Sequence, residues 1–276
     1  MVDFDYARPR SLQEALDLLA SNPEARPLAG GQTLIPTLKQ RLARPALLVD
    51  LQDVPGLRGI TVGDGFVTVG AMTPHAQTAS DPGVRAAIPA LAHLASGIAH
   101  PQVRHVGTMG GSISNNDPAA DYPGALLGLG AEVQTSRRRI AADDFFTGLF
   151  STALEPVELV LQVRFPVPVR AGYCKIANPA SGYVTTGCFI ADFGQGRVRV
   201  AVNGAGPCVF RQAALERALA ADFSPAALSG FRQDPQGLNA DLHASAAYRA
   251  QLVGVAARRA LEMALAAPSQ LETHSA

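Results

Sequence analysis

Two short glycine-bearing runs hold the residues of this chain best suited to chemistry. The first is Ala29-Gly30-Gly31-Gln32-Thr33-Leu34, and the second is Gly107-Thr108-Met109-Gly110-Gly111-Ser112. Consecutive glycines let main-chain N–H groups converge on an anion and approach it closely. At the start of a helix, such a loop adds the positive end of the helix dipole. Two of them from distant parts of the sequence suit the two phosphates of a dinucleotide. Neither is a GxGxxG or a GK[ST] motif, and a Gly-Gly turn is also ordinary turn chemistry. The second run continues into Ser114-Asn115-Asn116-Asp117-Pro118-Ala119-Ala120-Asp121. That stretch is dense in short hydrogen-bonding side chains, and turn formation alone also explains it.

Other reactive residue types point nowhere as clearly. Asp117 and Asp121 are four residues apart in a Pro-containing loop, with no nucleophile or metal ligand nearby, which argues against hydrolysis. His75, His93, His100 and His105 lack metal spacing and read as structural or solvent-exposed. Cys174, Cys188 and Cys208 are well separated in sequence and form no CxxC pair. The chain is therefore expected to hold no iron–sulfur cluster or zinc of its own, and buried free thiols suit a reducing cytoplasm. Lys175 beside Tyr173 has a plain reading as a snorkelling surface lysine, and Tyr183 reads as core or sheet surface.

The elements that must position these loops alternate between helix and strand. Ser11-Leu12-Gln13-Glu14 is a capping box opening a short helix that stops near Asn22-Pro23. A second helix is expected over Thr33 to Leu42 and a buried strand over Ala46 to Leu51. Asp64-Gly65 is a hairpin signal between Ile60 to Val62 and Phe66 to Val69. One helix is expected over Ala86 to Ala99, a polar loop over Gly107 to Asp121 and a packed helix over Ala125 to Ala131. Strands follow near Glu132 to Thr135 and Leu159 to Phe165. After Pro166-Val167-Pro168, a plausible domain boundary, Tyr183 to Asp192 and Arg197 to Val202 alternate like paired strands around Gly194-Gln195-Gly196. Helices are expected at about Gln212 to Ala221 and Ser245 to Ala267, with fraying from Pro268. The fold class is α+β, with a larger first domain and a smaller second one.

Bulk properties agree with two modest domains. The chain has 276 residues, 47% hydrophobic and 17% charged, with a formal net charge of zero. There is ample material for buried cores, and no charge excess that calls for nucleic acid or a bare membrane surface. No transmembrane segment and no signal peptide are expected.

At this point the residues resemble a family. Gln102-Val103-Arg104-His105-Val106-Gly107-Thr108-Met109-Gly110-Gly111 is similar to the Q-[IV]-R-x-x-G-T-[IML]-G-G signature of molybdenum hydroxylase flavoproteins, the FAD-binding medium subunits of the carbon monoxide dehydrogenase and xanthine dehydrogenase type. Asp117 to Asp121 matches that family's D/S-P-x-x-D, Leu129-Gly130-Ala131 its L-G-A, and Gly70-Ala71-Met72-Thr73 its G-A-x-T. Ala29 to Pro36 resembles its A-G-G-[QHT]-[ST]-L-[LI]-P loop. The resemblance covers nearly the whole chain.

What the resemblance implies is specific. The fold would be an FAD-binding domain of the vanillyl-alcohol-oxidase (PCMH) type over 1–168, in subdomains of about 1–56 and 57–168. A small C-terminal α/β domain of the CO dehydrogenase flavoprotein type would cover 169–276. The FAD pyrophosphate would lie between Ala29, Gly30, Gly31, Gln32, Thr33 and Leu34 on one side and Thr108, Gly110, Gly111 and Ser112 on the other. Asn115 stands at an Asn-for-Thr position, Asp121 at an acidic contact on the adenosine side, and Val160 at an apolar contact to adenine. Lys175 falls where related enzymes place a lysine near the flavin, with Tyr173 two residues before it. The family often has Asn where this chain has Ser112, so the second contact of the amide is lost. The implied partners are a molybdenum-cofactor large subunit, a 2Fe-2S small subunit and an external electron acceptor, in a heterotrimer doubled by symmetry. The substrate stays open among carbon monoxide, aldehydes, purines and N-heterocycles. A stand-alone FAD-dependent oxidoreductase of similar fold, and a nucleotide-binding scaffold without redox turnover, are the competing readings.

Overall fold

The computed structural model describes residues 2–267. The first sheet is small and parallel, with β1 (Asp5–Ala7), β2 (Ala25–Leu28) and β3 (Leu47–Asp50) in the order β1-β3-β2. Helix α1 (Leu12–Ser21) starts where the Ser11 hydroxyl accepts from the Glu14 N–H at 3.1 Å. The Glu14 carboxylate accepts in turn from the N–H of Arg10, one residue before the cap. Ala15 and Leu19 of α1 are buried in one cluster with Val49 of β3. Helix α2 (Leu34–Lys39) follows the first glycine run. It is shorter than expected, because Arg41 turns left-handed (φ 61°) and closes it.

The second sheet is antiparallel. It comprises β4 (Ile60–Gly63), β5 (Phe66–Gly70), β6 (Glu132–Thr135) and β7 (Arg139–Ala141). A two-stranded ribbon of β8 (Phe146–Gly148) and β9 (Ser151–Thr152) precedes its central strand β10 (Val160–Pro166), and the order is β4-β5-β10-β6-β7. Asp64 and Gly65 both have positive φ (52° and 76°), as a two-residue hairpin loop of primed type requires.

Six short helices fill the chain between β5 and β6: α3 (His75–Ser80), α4 (Pro82–Ala87), α5 (Pro89–Ser96), α6 (Pro101–Val106), α7 (Met109–Asn115) and α8 (Tyr122–Leu129). The single helix expected over 86–99 is broken. Pro89 lacks an N–H and disfavours helical geometry at Ile88, which sits at φ −138°, ψ 75°. The loop expected over 107–121 instead contains α7. The Thr108 hydroxyl caps that helix by accepting from the Gly111 N–H, and Asn116 ends it in the left-handed region. A last short turn, α9 (Ala142–Phe145), follows β7.

The third sheet runs β11 (Arg170–Ala177), β12 (Val184–Asp192), β13 (Val198–Asn203) and β14 (Phe210–Arg211), with neighbours antiparallel. Its helices are α10 (Ala213–Ala221) and α11 (Ala246–Ala266). Strand alternation gives the sheet two buried faces. Cys188, Ile190, Val200 and Val202 share a cluster with α11, while Phe189, Ala191 and Ala201 join the largest cluster alongside Leu126 of α8 and Val163 of β10. That largest core therefore continues across Pro166 to Pro168. Gly172 of β11 allows α11 to lie against the sheet, since a Cβ there would meet the Ala260 carbonyl oxygen at 2.0 Å. All three cysteines are free, but only Cys188 is fully buried; Cys174, its cross-strand partner, and Cys208 are half-buried. The fraying expected from Pro268 lies outside the described residues.

Candidate functional site

The two glycine runs, some 75 residues apart in sequence, meet in space. A Cβ on Gly30 would stand 2.2 Å from the Val106 carbonyl oxygen, and one on Gly111 would stand 3.4 Å from the Ala29 Cβ. Gly110 lies equally close to Ala71, at 2.6 Å between Cβ positions. The Gly70 to Thr73 segment is thus the bed on which the second run docks. Met109 N–H donates to the Thr73 carbonyl at 3.2 Å and Gly110 N–H to the Ala71 carbonyl at 2.8 Å. Thr73 is itself held by its hydroxyl, which bonds the main chain of Gly59.

These bonds divide the labour between the loops unequally. In the second run, the N–H groups of Met109, Gly110, Gly111 and Ser112 already have partners in the protein. In the first run, the N–H groups of Gly30, Gly31, Gln32, Thr33 and Leu34 donate to no acceptor among the described residues. Gly31 has φ +66°, which L side chains rarely adopt. The two runs therefore differ: the first has the free donors, and the second lines the cavity with Thr108 and Ser112.

Between them opens a cavity of about 640 Å³, within the usual range for a cofactor-sized site. Every residue the sequence singled out lines it except Tyr173 and Lys175. Those two stand behind Asp121. The Tyr173 hydroxyl donates to Asp121 Oδ1 at 2.9 Å, and the Lys175 ammonium lies 3.1 Å and 3.2 Å from the two carboxylate oxygens. Lys175 also donates to the carbonyls of Gly97 (2.7 Å) and Gly182 (3.2 Å). Its three protons thus tie Asp121 to two separate stretches of cavity rim, and it is not a free surface lysine. Burial pushes the Asp121 carboxyl up to about 6, against the pull of Lys175 and Tyr173.

The cavity also contains residues to which the sequence assigned no cofactor role. His75 and His100, read as structural or solvent-exposed, line it, as do Ile98 and Ala99, where Ala99 is left-handed at φ 43°. Tyr183 is not in the core: it is half exposed, on the wall beside Ser181 and Gly182. No local pattern marked these positions, because each reaches the cavity through contacts with distant segments.

A run of unpaired N–H donors facing a large, mostly apolar space fits a ligand that combines a pyrophosphate with flat ring systems. Residues 2–168 match the family described as the FAD binding domain in molybdopterin dehydrogenase. The chain belongs to that family. It is accordingly an FAD-binding oxidoreductase component, in line with the resemblance read from its motifs. It is 35% identical to the nicotine 6-hydroxylase medium subunit of Paenarthrobacter nicotinovorans, across 93% of this chain and 95% of that one. It is also 35% identical to the carbon monoxide dehydrogenase medium chain of Afipia carboxidovorans, across 95% and 97%. The solved CO dehydrogenase from Oligotropha carboxidovorans superposes with a TM-score of 0.88 at 32% identity, over 95% of this chain and 97% of that one. Among these relatives of the FAD-binding family the named substrates differ while the similarity does not. Among the described residues, no helix is long and apolar enough to cross a membrane.

Proposed function

We propose that this chain is the FAD-carrying electron-transfer subunit of a molybdenum hydroxylase complex in the cytoplasm. The observation that carries this is the meeting of the two glycine runs at one cavity, with five successive N–H donors left unpaired. In this reading the pyrophosphate lies along Gly30 to Leu34, and the second run closes over it with Thr108, Ser112 and Asn115. Val160 meets the adenine. Asp121 accepts a hydrogen bond from the nucleotide, and Tyr173 and Lys175 act through it. Bound FAD supplies the capacity to take up electrons and pass them onward. The chain's own part is to hold, orient and shield it.

The partners would be a large subunit carrying the molybdenum cofactor and a small subunit carrying 2Fe-2S clusters, with an external acceptor taking the electrons. A division into 1–168 for the cofactor and 169–276 for bracing it suits the roles of Lys175 and Tyr173, which reach back from β11. Cofactor identity provides a direct test. Flavin released from the assembled protein by denaturation and separated by chromatography is expected to be FAD, because FMN has no pyrophosphate to use the Gly30 to Leu34 donors. Recovery of FMN, or of no flavin, would contradict the proposal.

A further inference from the structure

His75 is sealed into the cavity wall at 5% exposure. It opens α3, and its N–H donates to the Gly107 carbonyl at 3.0 Å. Its Nε2 stands 2.8 Å from where a Cβ on Gly107 would be, hard against the second glycine run. Its ring lies 5.3 Å from that of Tyr122, tilted by 50°. Its Nδ1 is buried and has no hydrogen-bond partner. Among the other buried polar atoms in that condition are Thr78 Oγ1, one helical turn along α3, and the Tyr122 hydroxyl. The two hydroxyls interact with each other outside good hydrogen-bond geometry.

Buried polar atoms in native proteins are paired directly or through an ordered water. A hydroxyl or water at this spot either donates to a bare Nδ1, which leaves the imidazole proton on Nε2, or accepts from Nδ1–H; only the first arrangement gives His75 a donor on its Gly107 side. Burial, with Arg104 adding repulsion, pushes His75 down to about 4. The ring is therefore neutral at pH 7 and has one N–H to give. The Nε2 atom lies against Gly107, and both residues line the cavity between the glycine runs.

We infer that His75, which lines the cavity with its Nε2 against the second glycine run, is a cofactor-contacting residue whose Nε2–H donates a hydrogen bond to an acceptor atom of the bound flavin nucleotide. The inference rests on the cavity being the FAD site. Long-range 15N–1H spectra of the labelled full chain at pH 7 are expected to show His75 as the Nε2–H tautomer, with its Nε2 shift moving when FAD is added. His75→Phe keeps a flat ring against Tyr122 but has no donor. It is expected to weaken FAD binding about 10-fold or more, with the thermal transition showing a folded chain. His75→Gln, which offers an amide N–H near the Nε2 position, is expected to recover part of the loss. An Nδ1–H tautomer would overturn the inference. If the parent chain binds FAD and folded His75→Phe binds it as tightly, this inference alone fails. If the parent chain takes up no FAD, the reading of the cavity fails with it.

Discussion

Replacing Gly111 with valine is expected to lower FAD affinity roughly 100-fold, equivalent to about 3 kcal/mol, while leaving the fold in place. The position is well suited to the test because of what surrounds it. A Cβ there comes 3.0 Å from Thr108 Oγ1 and 3.4 Å from the Ala29 Cβ, so alanine needs only a shift of tenths of an ångström. The two γ-carbons of valine have to enter the gap between the glycine runs, where the nucleotide would pass. Gly30 and Gly110 are poorer probes. Their Cβ positions collide with the Val106 carbonyl at 2.2 Å and with Ala71 at 2.6 Å, so any side chain there would separate the loops themselves. Flavin-fluorescence titration of the stripped full chain, with circular dichroism as the check on folding, measures the effect. Gly111→Ala should keep most of the affinity. A Gly111→Val protein that binds FAD as tightly as the parent would remove the loop from the phosphate site.

The second large effect concerns Asp121. Its carboxylate is buried, and Lys175 is the cation it meets. Lys175→Met leaves that charge uncompensated, and removing one partner of a buried pair costs about 3 to 5 kcal/mol. The sign of the pH dependence follows from the raised carboxyl. Because Asp121 titrates at about 6 in the folded chain, above its unfolded value, it contributes stability that is fully present below the unfolded value. That contribution is lost as pH rises through the folded one. Without Lys175 the folded value rises further, so the variant keeps losing stability above about pH 7, where the Asp121 contribution in the parent has levelled off. Urea unfolding at pH 6 and pH 8 should therefore show the larger deficit at pH 8. The double variant Asp121→Asn, Lys175→Met should recover most of it, since the amide can still accept from the Tyr173 hydroxyl. An equal loss at both pH values, or no recovery in the double variant, would mean that Lys175 serves packing alone.

Which features the sequence exposed follows from how local their causes are. The Ser11 cap, the Asp64-Gly65 turn and the pairing of β12 with β13 depend on neighbours close along the chain, and all three are present. The break at Ile88 is equally local, since Pro89 encodes it, but the Ala- and Leu-rich run around it reads as one helix. The glycine runs were legible as glycine, but their purposes were not. Gly30 and Gly110 are required by contacts with Val106 and Ala71, far along the chain, and only the first run keeps its donors free. Lys175 lies 54 residues from Asp121, and Tyr173 lies 52. Resemblance to a family drew attention to them, whereas their role as a brace depends on β11, whose mixed pattern around Gly172 gave no strand signal. His75 gave no signal of a cofactor role either, because Gly107 and Tyr122, which define its setting, come from the turn after α6 and from α8.

On the proposed function, electrons reach this chain's FAD from partner subunits and not from an organic substrate directly. The direct measurement is anaerobic. The isolated, FAD-loaded full chain is mixed with candidate substrates, among them carbon monoxide, an aldehyde, a purine and an N-heterocycle. Flavin absorbance is followed before and after adding the molybdenum and iron–sulfur subunits. Bleaching is expected only in the complete mixture, with the substrate that the large subunit accepts. Rapid bleaching of the isolated chain by any of these substrates would make it a self-contained flavoenzyme and contradict the account.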